Sequence, residues 1–237
     1  MTDLVTADGQ KRAAAEAALA HVDDGMRLGL GTGSTAEHFV TALATRVKAG
    51  LKLRACVATS ERTAALARGL GLHLADLNDV RQLDLAVDGA DEIDPGLNLI
   101  KGGGGALLRE KIVAAAASRF IVIADSSKRV HRLGAFPLPV EVAAFGWKST
   151  AEKVAEAARA AGCAENFCHL RGGEAHPAKT DQGNYVLDVA ARDIPDPARL
   201  AAALCAIPGV VECGLFLGMA SFALVAGGKG VETLQRG

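Results

Sequence analysis

Residues 26–47 read MRLGLGTGSTAEHFVTALATRV. Residues 26–31 are a short apolar run that predicts a strand. The run passes straight into a glycine loop, and residues 34–47 place apolar side chains at the spacing of a helix. Upstream, residues 10–22 also read as a helix, rich in alanine. Downstream the alternation continues. Residues 53–58 predict a strand. The segment TSERTAALARGLG (59–71) predicts a helix, with Thr59 or Ser60 as N-cap and Gly69 or Gly71 as its stop. Residues 72–77 and 83–87 predict two more strands. A glycine run and helix follow in NLIKGGGGALLREKIVA (98–114), then a buried strand in RFIVIADSSK ending at Asp125. Strands alternating with helices predict a parallel sheet covered on both faces.

The pattern changes after residue 134. GAFPLP (134–139) is a proline-punctuated link. A strand near Val140, a helix over 150–161 and a strand over 167–170 come next. A polar turn (TDQGN), a strand over 185–190, a helix over 197–206 and a strand over 210–216 complete the series. The order βαββαβ is that of a ferredoxin-like unit. The last stretch, FALVAGGKGVETLQ, reads as strand, turn and helix returning to the first domain. The expected fold is therefore α/β: a Rossmann-like, mostly parallel sheet domain over 1–134 and 217–237, with an inserted smaller α+β (ferredoxin-like) domain over 135–216.

The chain has 237 residues, half of them hydrophobic, so a substantial core is available. Its net charge is −1, with both signs scattered, which gives no electrostatic case for nucleic acid or a membrane surface. No apolar run reaches membrane-spanning length, and the N-terminal stretch reads as an amphipathic helix, not a signal peptide. The five cysteines form no CxxC and the six histidines are dispersed, so the sequence offers no zinc site and predicts reduced thiols in a cytoplasmic protein.

Chemistry gathers at strand ends. The loop holding Thr32, Gly33, Ser34 and Thr35 joins a strand to a helix, where free N–H groups and hydroxyls suit an anion. A nicotinamide dinucleotide fits poorly, because the next predicted strand ends Cys56-Val-Ala-Thr-Ser with no acid. A Walker lysine is also missing, so a small phosphate fits best. The segment DGADEID carries Asp88, Gly89, Ala90, Asp91, Glu92 and Asp94. It reads as an acidic turn, as a Mg²⁺ site, or as acid/base groups facing the hydroxyls of a polyol. Lys128 stands at another strand end, and Lys11 is a weaker candidate for the same anion.

The glycine run is the most distinctive feature. Lys101 precedes Gly102, Gly103, Gly104 and Gly105, and Glu110 follows on the second turn of the predicted helix. Glycines let backbone N–H groups close on an anion. A flanking cation and carboxylate then suit chemistry that develops an oxyanion. Serine-bearing flexible linkers look different.

In combination, GLGTGSTA, VDGADEID, KGGGGALLREKI and ADSSK, in this order and at these spacings, resemble the ribose-5-phosphate isomerases of the A type. FPLPVEV, GNYVLDV and IPGVVECGLF extend the resemblance over nearly the whole chain. It implies interconversion of ribose 5-phosphate and ribulose 5-phosphate without a cofactor, in the pentose phosphate pathway, by a homodimer or homotetramer. By position, Glu110 matches the catalytic base. Thr32 to Thr35, Asp88 to Asp91 and Lys101 to Gly104 match substrate-binding segments, and Lys128 matches the binding lysine. Leu108, where a threonine is expected, and the Phe145-Gly-Trp147 segment depart from the pattern. Elementary chemistry agrees: moving a carbonyl from carbon 1 to carbon 2 needs one base near both carbons, and Glu110 suits that role. Lys101 and the glycine N–H groups suit the enediolate oxygens. Asp88, with Asp91 as alternate, suits opening of the furanose ring. A related isomerase or deaminase acting on an amino sugar is the rival enzyme. A sugar-phosphate sensor is the rival of another class, but no basic helix-turn-helix segment is visible.

Overall fold

The computed structural model describes residues 4–236. In chain order the elements begin α1 (Ala7–Ala18), β1 (Arg27–Leu30), α2 (Ser34–Lys48), β2 (Ala55–Ala58), α3 (Glu61–Gly69), α4 (Leu77–Val80) and β3 (Leu85–Asp88). They continue β4 (Glu92–Ile93), β5 (Leu99–Ile100), α5 (Leu107–Ala115), β6 (Phe120–Asp125), β7 (Leu138–Val142), α6 (Trp147–Ala160), β8 (Phe167–Leu170) and β9 (Tyr185–Ala190). The series ends α7 (Pro197–Cys205), β10 (Val210–Cys213), β11 (Leu215–Phe216), β12 (Phe222–Gly227) and β13 (Gly230–Leu234). Two compact units result: residues 1–90, 109–129 and 219–237 form the first, and residues 91–108 and 130–218 the second.

The first unit is built on a six-stranded sheet of order β13-β12-β6-β3-β1-β2, parallel except for β13. β1 lies between β2 and β3, so the chain moves outward one way after β1 and the other way after β3. That reversal is a topological switch point, where α/β sheets open a crevice at the carboxyl ends of their strands. The core includes Leu28, Leu30, Phe39, Leu43, Leu85 and Ile123, each withdrawn from water. Burial of each such side chain contributes about 1.5–3 kcal/mol. At the opposite ends of the strands, Arg27 clamps Asp84, with Nη2 2.7 Å from Oδ1 and the Arg27 backbone N–H 2.7 Å from Oδ2. These hydrogen bonds hold the Asp84 carboxyl down at about 2. The stability this lends is present above the ordinary carboxylate range of about pH 4 and fades as pH falls toward 2.

Three sequence expectations change here. Residues 72–77 are no strand: Leu74 makes one bridge to Cys56, and Asp76 then caps the short turn α4 through the Asn78 N–H at 2.7 Å. Residues 231–235 are no helix. Gly227 and Gly230 pair across a hairpin turn, and β13 runs back along β12, because so few residues after a glycine turn cannot nucleate a helix. Residues 210–216 divide into β10 and β11, which belong to different sheets.

In the second unit, β7-α6-β8-β9-α7-β10 folds into an antiparallel sheet of order β10-β7-β9-β8, the expected split βαβ arrangement. Val140, Val142, Val154, Leu187, Val189, Leu200 and Leu204 fill its core. Trp147 packs against this core, while Phe145 is exposed. A second, three-stranded sheet pairs β4 with β5 and β5 with β11, through Glu92↔Ile100 and Leu215↔Ile100. This pairing draws residues 91–108 into the second unit, although the sequence pattern groups them with the Rossmann-like half.

Candidate active site

The switch point in the first unit fixes Thr32 and Asp88. Gly31 donates its N–H to the Val87 carbonyl at 2.9 Å, which sets the end of β1 against the end of β3. Asp88, only 3% exposed, accepts the Thr32 N–H at 3.0 Å and the Gly89 N–H at 2.7 Å on Oδ1. A Cβ on residue 31 would sit 2.2 Å from Asp88 Oδ1, so glycine is required there. The Thr32 hydroxyl turns inward to Thr59 Oγ1 at 2.7 Å and Ser60 Oγ at 2.8 Å, with Thr63 Oγ1 at 3.1 Å. Thr32 thus braces Asp88 and the loop. Gly33 is the N-cap of α2 with φ 107° and no side-chain cap, so Ser34 and Thr35 open the helix with their N–H groups uncapped.

One lysine reaches this loop from a neighbouring element. Lys11, on α1, donates from Nζ to Ser34 Oγ at 3.0 Å. Lys128 lies in a single helical turn after β6 that Asp125 caps through the Ser127 N–H at 3.0 Å. The preceding residue of α1, Gln10, accepts from Ser126 N–H and Oγ at 3.3 and 3.1 Å, tying α1 to that turn. Lys11, the weaker candidate in the sequence, is hydrogen-bonded to Ser34 of this loop.

Glu110 is 4% exposed on α5. It shares a helix face with Val113, three residues on. Gly29 admits that face: a Cβ there would meet Val113 Cγ1 at 2.5 Å. Glu110 and Asp88 border one packing gap, too small to hold water, with Gly29, Gly31 and Thr59. Arg109 orients the helix by donating to Glu61 Oε1 at 2.8 Å, and this pair lowers the Glu61 carboxyl below its usual range. A wider cavity of about 510 Å³ lined by Glu61, Arg68, Asp76, Asn78 and Arg109 holds none of the candidate residues.

The second unit carries the remaining candidates. Lys101 is 2% exposed, and its Nζ stands 5.5 Å from the centre of the Phe216 ring. Its backbone N–H donates to the Gly214 carbonyl at 2.9 Å. Gly102 has φ 104°, which favours glycine. Gly103 donates its N–H to Asp91 Oδ2 at 2.8 Å, and a Cβ there would lie 2.7 Å from Asp91 Oδ1. Gly104 is exposed at the tip of the run. Sequence reading missed the brace beneath it. Arg171, just after β8, donates from Nη1 to the carbonyls of Gly102 and Gly103 at 2.9 and 3.2 Å. Its Nε and Nη2 engage both oxygens of Asp188 on β9. A lone arginine before Gly-Gly carries no periodic signal, and only the fold brings it to residues 102 and 103.

The segment of residues 88–94 is no loose acidic turn. Asp91 holds Gly103, Glu92 accepts the N–H groups of Gly134 at 2.7 Å and Phe136 at 2.5 Å, and Asp94 accepts the Asn98 N–H at 2.8 Å. With Asp88, whose Oδ1 takes two N–H groups, every carboxylate of the segment accepts from a backbone donor, which is not the open oxygen cage of a hard cation. Turnover is therefore expected to survive dialysis against EDTA. Abolition by EDTA with recovery on adding Mg²⁺ would reassign the segment.

An open, mostly parallel sheet with buried ionisable side chains at its strand ends defines an α/β enzyme. A family profile described as ribose 5-phosphate isomerase A (phosphoriboisomerase A) matches residues 55–230. A protein of Parvibaculum lavamentivorans named ribose-5-phosphate isomerase A is 56% identical over 231 residues, covering 98% of this chain and 100% of the relative. The one from Nitrobacter hamburgensis is 54% identical over 232 residues, with the same coverage of 98% and 100%. Among solved structures, a D-ribose-5-phosphate isomerase in complex with phospho-erythronic acid gives a TM-score of 0.90 at 38% identity, covering 98% of this chain and 100% of that one. Ribose 5 phosphate isomerase A from Neisseria gonorrhoeae gives 0.89 at 36% identity, covering 99% of each. The chain belongs to the ribose 5-phosphate isomerase A family, a family of isomerases. No described helix is long and apolar enough to cross a membrane.

Proposed function

We propose that this chain interconverts D-ribose 5-phosphate and D-ribulose 5-phosphate through an enediolate, with Glu110 as the base. Its near-complete likeness to proteins named for that activity supports the substrate. The observation that carries the mechanism is Glu110 itself, a carboxylate buried on a helix in the same unit as Asp88. Glu110 takes the proton from carbon 2 of the open-chain aldose and returns it to carbon 1 of the ketose, while the hydroxyl proton at carbon 2 passes to the oxygen at carbon 1. Lys101 and the N–H groups of Gly102 and Gly104 stabilise the enediolate oxygens, the Gly103 N–H being held by Asp91. Asp88 moves the proton that opens the furanose ring. The same reading makes the enzyme a cytoplasmic homodimer or homotetramer of the pentose phosphate pathway, and light scattering reports the assembly.

The phosphate is held by Gly33, Ser34 and Thr35 at the start of α2, with Lys11 and Lys128 supplying charge. Phosphate binding energy then positions the reacting end. Free ribose is expected to lose rate as well as affinity. Lys128→Ala is expected to weaken ribose 5-phosphate and to leave residual turnover of free ribose unchanged. Equal losses on the two sugars would remove Lys128 from the phosphate site. Ketose formation from ribose 5-phosphate by the purified protein alone tests the proposal as a whole.

A further inference from the structure

Outside these groups, the second unit gathers three metal-ligating side chains. Cys205 is the last residue of α7, and Glu212 and Cys213 close β10. One ligand atom from each lies within 4.8 Å of the other two. Glu212 Oε1 accepts from Cys205 Sγ at 3.8 Å and from the Cys213 N–H at 2.8 Å, which holds the carboxylate between the two cysteines. We propose that Cys205, Glu212 and Cys213 bind a thiophilic divalent cation of the Zn²⁺ class, with the fourth position open to water.

Geometry supports the assignment. A tetrahedral Zn²⁺ with arms of about 2.3 Å to sulfur and 2.0–2.2 Å to oxygen sets S···S near 3.8 Å and S···O near 3.5 Å. The observed sulfur–oxygen separation of 3.8 Å is already close to that edge. The spread of the cluster, at most 4.8 Å, requires the ligand atoms to draw in by about 1 Å or less. The backbone is fixed at both ends. Leu200 and Leu204 bury α7, Cys213 lies in the core, and a tight turn with Gly209 at φ 98° joins the two elements. Cys205 is exposed and provides the entry path.

Electrostatics point the same way. The last turn of α7 carries no basic residue, so the negative end of its dipole meets no cation of its own. Two thiolates and a carboxylate select a borderline-soft ion over Mg²⁺ or Ca²⁺. Binding releases the two thiol protons to solvent and changes no oxidation state.

The test is Co²⁺ titration of the reduced, chelator-stripped protein, read by thiolate-to-cobalt charge-transfer absorption. One Co²⁺ per chain with tetrahedral visible bands, displaced by Zn²⁺, is expected. Cys205→Ala, at an exposed position, is expected to abolish the charge-transfer band with the circular dichroism spectrum unchanged. Glu212→Gln is expected to weaken binding, and the Cys163→Ser/Cys168→Ser double variant is expected to bind as wild type. Absence of the band in the wild type overturns the site, as does its persistence in Cys205→Ala. A Cys205–Cys213 disulfide formed in air, with no cobalt band under reductant, would make the pair a redox couple instead and also overturn it.

Discussion

Glu110→Gln is expected to lower turnover of ribose 5-phosphate by about 10²–10⁴-fold, the usual worth of a general base. Glutamine keeps the shape of the side chain and can still accept a hydrogen bond, but it has no basic oxygen with which to take the carbon 2 proton. The helix should be undisturbed, because Val113 packs against Gly29 and Arg109 against Glu61 in either form. Binding of ribose 5-phosphate, measured by calorimetry, should therefore change little. Loss of kcat with ligand affinity kept is the pattern of an interaction made in the transition state. Turnover near that of the wild type would remove Glu110 from the mechanism.

Arg171→Ala should produce the second large effect. Arg171 ties the carbonyls of Gly102 and Gly103 to Asp188, so its removal frees the run to shift. A misplacement of about 1 Å near reacting atoms costs about 10²-fold in rate. The loss should appear in kcat more than in KM, because the proposed phosphate ligands Ser34, Thr35, Lys11 and Lys128 are untouched. Arg171→Lys should not rescue, since an ammonium cannot make the bidentate pair with Asp188 and still reach both carbonyls. Gly103→Ala provides a check from the other side, as its methyl would press on Asp91. A uniform fall in thermal stability with kcat preserved in the folded fraction would make Arg171 a structural strut only.

Much of this was legible in the residues. The strand–glycine–helix pattern of residues 26–47 announces β1, the glycine loop and α2, because period and glycine placement are local signals. The βαββαβ order likewise emerges from alternation. What escaped reading depends on partners distant in sequence. Thr32 reads as an anion donor, yet its N–H meets Asp88, 56 residues away, and its hydroxyl meets Thr59 and Ser60. Glu92 reads as one of four loose acids, yet it straps residues 134 and 136. Arg171 has no signal until β8 and β9 pair. The helix expected over 231–235 failed because helix propensity in so short a segment yields to a sheet edge waiting at β12.

The most direct test of the central claim is NMR of ribose 5-phosphate incubated in D₂O with the purified wild type and with Glu110→Gln. A carboxylate that carries the proton from carbon 2 to carbon 1 exchanges it with solvent. The wild type should thus form ribulose 5-phosphate bearing deuterium at carbon 1, and Glu110→Gln should form almost none in the same time. Failure of the wild type to form ketose, or equal ketose formation by the two proteins, would contradict the account.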